Sequence, residues 1–340
     1  NRDTGSDLAV KREYAYNRYN AVTDVYEFDI NGSTPVRRTH TEYGLNANPD
    51  YTTYGVTDKR YILNLPTTSW VCGSGTGPCT EGAAVAKSEF VYDSTALTAR
   101  SNPSKHWSTM DTTYLLRGNL TEVKRWRNVP TSKWIVSTMK YDILGNPVEA
   151  TDPLGGVTAV DYTDNFTTYT WGNTFAYPTE VTRGPLTVAS AYDRYLGAPT
   201  RFDDPNGIRS VYNYTDPLDR LIWAVIADNQ SSVAAKTRFQ YVAPASGNGF
   251  YPRVDRFSDR STLGDEAYKT RSFFDGLGRS VASQSHDCAI APVTYGADGR
   301  PKSVPNPIRH GTAGNCNGLT NYPGGQPLST KQYDTLGRVT

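Results

Sequence analysis

The chain has 340 residues and carries 35 Lys and Arg against 34 Asp and Glu, so its formal net charge is +1. This balance argues against a nucleic-acid or anionic-membrane partner, and no apolar run reaches the roughly 18 residues that a membrane-spanning helix needs. With 24 Tyr but little aliphatic material, the composition predicts a wide, partly polar interior rather than a dry core.

The first 89 residues have a strand-like composition without a clear repeat, and we expect a β-rich leading segment that belongs to the same sheet as residues 90–340. Between Cys72 and Cys79 the glycines Gly73, Gly75 and Gly77 alternate with other small residues. No Lys and no strand–loop–helix context accompany them, so a flexible stapled loop is favoured over a phosphate-binding loop.

From residue 90 onwards the chain repeats one phrase: an aromatic residue, Asp, two or three residues, Gly, and a small or basic residue. Such repetition indicates a repeat architecture, because a catalytic site is normally made once per domain. Weaker copies run from Tyr114 to Asn119 and from Tyr214 to Arg220, and Tyr92-Asp93 opens one whose turn is not recognisable. The clear copies are Tyr141-Asp142 with Gly145, Tyr192-Asp193 with Gly197, Phe274-Asp275 with Gly278, and Tyr333-Asp334 with Gly337.

Each part of the phrase has a physical reason. The Asp carboxylate accepts backbone N–H bonds from the turn that it opens, and Gly supplies the positive φ that a residue with a Cβ resists. The Tyr lies on a strand, where its ring is expected to stack on the equivalent ring one unit away. Runs of Val, Thr, Tyr and Phe between Asp-Pro-x-Gly or Asn-Gly turns predict an all-β fold of antiparallel hairpins.

The four cysteines form two local pairs, Cys72 with Cys79 and Cys288 with Cys316, each in a Gly-rich stretch without periodicity. The even count and the local pairing favour two disulfides that staple loops, and therefore an exported protein. Free thiols and a zinc site are the alternatives. Zinc is less favoured because the chain has no CxxC motif and His286 is the only His close to a Cys.

No catalytic, cofactor-binding or metal-binding residue stands out, and we predict a protein without enzyme activity or cofactor. His40, His106, His286 and His310 are far apart and lie in no catalytic motif. The Asp-rich turns at residues 203–207 and 298–299 favour turn capping over Ca²⁺ binding. The Trp residues in strand-like runs favour inward packing over a ligand-binding surface; they are Trp107, Trp126, Trp134, Trp171 and Trp223.

The Tyr-Asp-x-x-Gly-Asn/Arg phrase, followed by Asp-Pro-x-Gly, resembles the RHS (rearrangement hotspot) or YD-repeat family. The copies at residues 141–162 and 192–214 follow the pattern nearly throughout, and those at residues 274 and 333 match its first half. The resemblance implies a β-sheet that spirals into a hollow shell or barrel, of which this chain forms a part. In many bacterial members such a shell encloses a toxic C-terminal segment, and teneurin-like members use a similar barrel in cell-surface adhesion.

The function that the resemblance implies is a non-enzymatic scaffold of an exported protein, secreted or on the cell surface of a bacterium, that encloses a toxin-like polypeptide cargo. The shell-closing motif and the autocleavage aspartates of such proteins are not recognisable, so the scaffold role alone carries over. The alternative is an adhesin or a self-assembling fibre or tube. A third possibility, a hydrolase, would need clustered acidic or nucleophilic groups.

The expected partners are cargo, further repeats, other copies at the sheet edges, or a surface glycan or protein, with no nucleic acid and no membrane span.

Overall fold

In the part of the chain that the structure describes, the regular structure is almost entirely β-strand. Apart from the strands, the described residues contain one 3₁₀ turn, Glu81–Ala83. The chain divides into two compact units, residues 1–165 with 170–188 (the first unit) and residues 166–169 with 189–340 (the second unit). The structure is a computed structural model that describes residues 10–44, 62–127, 132–166, 173–244, 251–309, 311–312, 315–316 and 328–332.

The first unit is a run of antiparallel strands. They are β1 Arg12–Tyr16, β2 Val22–Phe28, β3 Pro35–Tyr43, β4 Pro66–Cys72, β5 Ala84–Tyr92, β6 Leu120–Arg127, β7 Lys133–Tyr141, β8 Pro147–Thr151, β9 Val157–Asp161 and β10 Glu180–Arg183. Each strand pairs with the next one along the chain. This order follows from the hairpin connections, because a tight turn returns the chain beside the strand just made.

The second unit has the same organisation. Its strands are the second half of β11 (Leu186–Tyr192), β12 Pro199–Asp203, β13 Arg209–Asn213, β14 Trp223–Ile226, β15 Ala235–Val242, β16 Arg253–Ser258, β17 Tyr268–Phe274, β18 Ser280–Gln284, β19 Ala289–Pro292, β20 Thr294–Tyr295, β21 Pro301–Pro305, β22 Ile308–Arg309, β23 Gly311–Thr312, β24 Asn315–Cys316 and β25 Leu328–Thr330. Strands β11 to β19 pair antiparallel in chain order, and β22 pairs with β19. Two small sheets join β20, β21 and β25, and β23 with β24.

Buried apolar side chains form small local clusters in each unit. Trp70 packs with Cys72 and Cys79 in the first unit, and Phe273 packs with Ala282 and Ile290 in the second. Many strand residues outside these clusters are only half-buried. Because the apolar clusters are small, the strand ladders, the turns and the buried polar pairs must contribute much of the stability.

The prediction of an all-β fold of antiparallel hairpins is confirmed. The curvature of the sheet into a shell stays a prediction, and so does the division into a leading segment, 1–89, and a repeat region, 90–340. Within the described ranges, no helix is long and apolar enough to cross a membrane.

Candidate functional site

The repeated Asp organises its own turn. At the first clear copy, Oδ1 of Asp142 accepts the N–H groups of Leu144 and Asn146, both at 2.9 Å. The Asp142 N–H donates to the carbonyl of Asn146, and the Gly145 N–H donates to the carbonyl of Asp142, both at 3.0 Å. Gly145 adopts a φ of +87°, a conformation that a side chain would strain. The phrase thus forms a closed hydrogen-bonded loop within six residues.

The same pattern recurs at three further positions. At Asp152, Asp204 and Asp275, Oδ1 accepts the N–H groups of the residues two and four positions later, at 2.8–2.9 Å. The N–H groups of Gly156 and Leu154 hold the pKa of Asp152 below its ordinary value. These carboxylates are acceptors for backbone donors. The copy at Tyr333, Asp334 and Gly337 lies outside the described residues.

The Tyr92-Asp93 copy closes across a long insertion. The Asp93 N–H donates to the carbonyl of Asn119 at 2.9 Å, and the Asp93 carboxylate accepts the N–H groups of Arg117, Gly118 and Asn119 at 2.7–2.9 Å. Gly118 takes the positive φ, +76°. Residues 114–119, which the sequence suggests are a separate weak copy, therefore supply the missing second half of this one.

The leading segment contains a copy that a search for Tyr-Asp misses. In the turn after β1, Oδ1 of Asn17 accepts the N–H groups of Tyr19 and Ala21 at 2.9 and 3.0 Å, and Asn20 has the positive φ, +61°. Asn replaces both Asp and Gly here because it can accept the same bonds and tolerates the left-handed region. Allowing Asn at both positions would have found this copy from the sequence.

A β-bulge precedes the aromatic residue of the repeat. The ladder register shifts by one residue immediately before it in eight strands. In five of these the residue paired with the aromatic is Pro, which has no N–H to leave unpaired. The bulged aromatics, here called rungs, are Tyr16, Phe28, Tyr43, Tyr92, Tyr141, Tyr192, Phe274 and Tyr295.

Several rung hydroxyls donate to a backbone carbonyl 15–26 residues earlier in the chain. Tyr43 donates to Val22 at 2.9 Å, Tyr92 to Pro66 at 3.0 Å, Tyr141 to Leu120 at 2.9 Å and Tyr295 to Ser280 at 2.7 Å. Burial, reinforced by the nearby phenol of Tyr43, raises the pKa of Tyr92 to about 12. Each of these hydroxyls ties a strand end to the start of an earlier strand. Face-to-face stacking of successive rings stays a prediction.

Replacing Tyr92 by Phe should lower the free energy of unfolding by about 1 kcal/mol, because the Pro66 carbonyl loses its donor. The folded pKa of Tyr92 lies above the ordinary value of 10.0, so its contribution is complete below that value and is lost as pH rises toward about 12. Urea unfolding across this alkaline range measures both effects. A Phe variant whose stability falls with pH as steeply as the wild type would contradict the assignment.

Two disulfides staple insertions to the sheet. Cys72 bonds Cys79 and Cys288 bonds Cys316, the two pairs expected from the sequence, with Cα atoms 5.6 and 5.0 Å apart. The first loop encloses the guanidinium of Arg38, which is 7% exposed and donates to the carbonyls of Gly73, Gly77 and Pro78. A Cβ on Gly75 would lie 3.2 Å from Nη2 of Arg38. Glycine therefore lets the stapled loop close on this cation.

Replacing both cysteines of one pair by Ser should destabilise the protein in proportion to the loop that is released. Loop-closure entropy gives about 2.5 kcal/mol for the pair seven residues apart and about 3.5 kcal/mol for the pair 28 residues apart. Urea unfolding followed by circular dichroism measures both losses, and reduction of the wild type serves as the control. A larger loss for the shorter loop would show that closure entropy is not the main effect.

The histidines do not assemble into one site within the described residues. His40 lies 2.6 Å from Asp24 and against the ring of Trp70, His106 lies 3.3 Å from the Ile143 carbonyl, and His286 accepts the Lys269 N–H at 3.3 Å. His310 lies outside the described residues. No group of three or more His, Cys, Asp or Glu in the described part of the chain could hold a metal ion.

The Asp-rich turn at 203–207 uses its carboxylates for structure. Both oxygens of Asp203 bind the guanidinium of Arg209, at 2.8 and 3.0 Å, and this Arg holds the pKa of Asp203 below its ordinary value. Oδ1 of Asp204 caps the turn through the N–H groups of Asn206 and Ile208. Both carboxylates are therefore bound by donors of the protein itself, as turn capping predicts and a shared Ca²⁺ site does not.

The expected inward packing of the Trp residues is wrong for Trp107 and Trp126. Trp107 is 76% exposed because it lies in the 94–116 insertion and not on a strand. Trp126 is exposed near the end of β6, where it contacts Trp134 edge to face at 5.2 Å. Trp134 and Trp223 are half-buried, and Trp171 lies outside the described residues.

Two carboxylates are almost fully buried and bind cationic side chains. Asp142 is fully buried and also binds Nε of Arg100 at 2.9 Å. Asp255, 1% exposed, lies within 2.9–3.6 Å of the side chains of Arg253, Lys269 and Arg271. Charges buried in this way are stable only when paired. These two carboxylates are thus structural anchors, one in each unit.

No protein-family model and no curated protein matches this sequence. Among solved structures, the chain is similar to TcdB2-TccC3-TEV, with 11% identity and a TM-score of 0.43 over 97% of this chain and 15% of that one. The Photorhabdus luminescens Tc holotoxin pore gives 11% identity and a TM-score of 0.42, with the same coverage. TcdB2-TccC3 gives 10% identity and a TM-score of 0.37 over 98% and 19%. The chain spans less than a fifth of each, so its function has to be argued from its own residues.

Proposed function

We propose that this chain is a non-enzymatic wall segment of an exported RHS-type scaffold whose sheet encloses a polypeptide cargo. Its partners are then the enclosed polypeptide and the neighbouring repeats of the same protein. The location that fits this role is outside the cytoplasm of a bacterium, secreted or at the cell surface.

The observation that carries this proposal is how the repeated polar residues are used. The carboxylates of Asp142, Asp152, Asp204 and Asp275 accept N–H groups of their own turns, and the rung hydroxyls donate to main-chain carbonyls. Groups held in this way stabilise the backbone and are not poised to exchange protons with a substrate. A repeat whose polar side chains bind its own backbone suits a container better than a catalyst.

The two disulfides support the extracellular part of the proposal. Both close insertions rather than joining distant strands, and such bonds persist in oxidising compartments. A wall that works outside the cell gains from them, because they hold long insertions against the sheet while the hydrogen-bonded ladder carries the repeat. The small apolar clusters make this added constraint valuable.

Protease protection tests the proposal on the protein made from its complete native reading frame. Enclosure predicts that a polypeptide segment outside the repeats resists protease while the sheet is folded, and is cut at once when urea and a reductant open it. As the control, the same segment made alone should be cut without either treatment.

Two results would overturn enclosure. One is cleavage of every segment outside the repeats at the same rate in the folded and the unfolded protein. The other is electron micrographs in which native particles join end to end through their sheet edges, which would favour the fibre or tube.

A further inference from the structure

The second unit contains an open cavity lined by aromatic and polar side chains. Its volume is about 420 Å³, within the range of small-ligand sites. Three strands and two turns form it: β12, β13 and β14, and the turns that follow β11 and β13. The aromatic lining consists of Tyr195, Tyr212, Tyr214 and Trp223.

Two departures from the repeat meet at this cavity. The turn opened by Asp193 has three residues before its Gly instead of two, and one of them, Tyr195, is 71% exposed and lines the cavity. The turn that follows β13 has Asp219 at the position that other copies give to Gly, and Asp219 adopts a φ of +58°. A side chain in this conformation carries a strain that Gly would avoid. The side chains of Tyr195 and Asp219, one from each departure, thus line the same cavity.

The polar groups of the lining are acceptors placed beside the rings. Oδ1 of Asp193 is used by the turn, through the N–H groups of Tyr195 and Leu196, whereas Oδ2 accepts no hydrogen bond from the described residues. The exposed carboxylate of Asp219 adds a second acceptor. Burial, with the neighbouring phenol of Tyr212, raises the pKa of Tyr214, so this phenol remains a donor. Aromatic rings can pack against the C–H faces of a sugar, and the carboxylates and phenols beside them can bind its hydroxyl groups.

We propose that this cavity binds a neutral pyranose sugar at the end of a glycan, with Tyr195 and Trp223 against the faces of the ring and Asp193 and Asp219 accepting its hydroxyls. The two carboxylates in the lining disfavour a uronic or sulfated sugar, since like charges repel. The site is separate from the wall function, because neither departure is needed to close the sheet. Its failure would leave the scaffold proposal standing.

A glycan array of neutral oligosaccharides, followed by calorimetric titration of the best methyl glycoside, tests the proposal. Tyr195→Ala and Asp219→Gly should each weaken binding about tenfold or more, since each removes a stacking or hydrogen-bonding partner. Asp219→Gly should also hold or raise thermal stability, because Gly relieves the positive φ. This variant therefore separates loss of binding from loss of folding.

The chain offers a matched control in Leu277, which occupies the position equivalent to Tyr195 in the Asp275 turn, is 79% exposed and lies away from the cavity. Leu277→Ala should bind the glycoside as the wild type does. The proposal is overturned if no neutral glycan binds saturably, or if both cavity variants bind unchanged. It is also overturned if tetramethylammonium, the probe for an aromatic cation cage, binds and the glycosides do not.

Discussion

Replacing Asp142 by Ala is expected to lower the free energy of unfolding of the first unit by about 3–5 kcal/mol, the usual effect of removing one partner of a buried ion pair. The carboxylate is 0% exposed and binds Nε of Arg100, which is itself largely buried. It also accepts the side-chain N–H of Asn146 at 3.2 Å, in addition to the turn bonds. The variant thus leaves a cation and several donors without their acceptor. Urea unfolding followed by tryptophan fluorescence measures the loss.

Two further variants separate the ion pair from the turn. Asp142→Asn keeps an acceptor oxygen for Leu144 and Asn146 but removes the charge opposite Arg100, so an intermediate loss is expected. Asp275→Ala breaks an equivalent turn and an ion pair with Arg279, but both side chains are more exposed than Asp142 and Arg100, so the loss should be clearly smaller. If the variants at positions 142 and 275 unfold at the same urea concentration, burial of Asp142 adds nothing beyond the turn bonds.

Replacing Asp255 by Ala is expected to destabilise the second unit by a similar amount, about 3–5 kcal/mol. Nε of Arg253 lies 2.9 Å, Nζ of Lys269 3.0 Å and Nε of Arg271 3.6 Å from its oxygens. Without the carboxylate, three cations on neighbouring strands face one another in a half-buried space, and their repulsion adds to the lost pairing. Thermal unfolding at low salt shows the full effect, and added salt should recover part of it.

Neutralising one of the cations tests this explanation. Combining Lys269→Gln with Asp255→Ala should restore part of the stability that the single Asp255 variant loses, because one repulsive charge is removed. Asp203→Ala is the matched control. This carboxylate also binds an Arg on a neighbouring strand, but the pair is more exposed and the loss should be smaller. Additive losses in the double variant would contradict the mutual repulsion of the three cations.

The turns are the part of this fold that could be predicted in detail. In the copies at Tyr141 and Phe274, the aromatic, the Asp and the Gly lie within five residues, and the hydrogen bonds that close the turn lie within six. Such local bonds depend little on the rest of the chain, so the residue types are sufficient to predict them. The two disulfides could also be predicted, because each links a Cys to the Cys nearest to it in the sequence.

The repeat could not be recognised from the sequence where a long insertion separates its two halves. Asp93 and Gly118 belong to one turn although 24 residues lie between them. Similarly, Asn17 and Asn20 take the roles of Asp and Gly in a copy that has the same hydrogen bonds but different residue types. Pattern matching looks for fixed residues at fixed spacing, whereas the backbone requires only an acceptor at one end and a positive φ at the other.

The sequence by itself determined the class of fold, the hairpin turns, and the loops that disulfides staple, because these depend on contacts between residues close together in the chain. Only the tertiary structure decided which carboxylates are buried, since Arg100 meets Asp142 from 42 residues away. It also decided that the turns of Asp193 and Asp219 face one cavity. Burial and cavities arise when strands that are distant in sequence pack together, and this packing cannot be inferred from the residues adjacent in sequence.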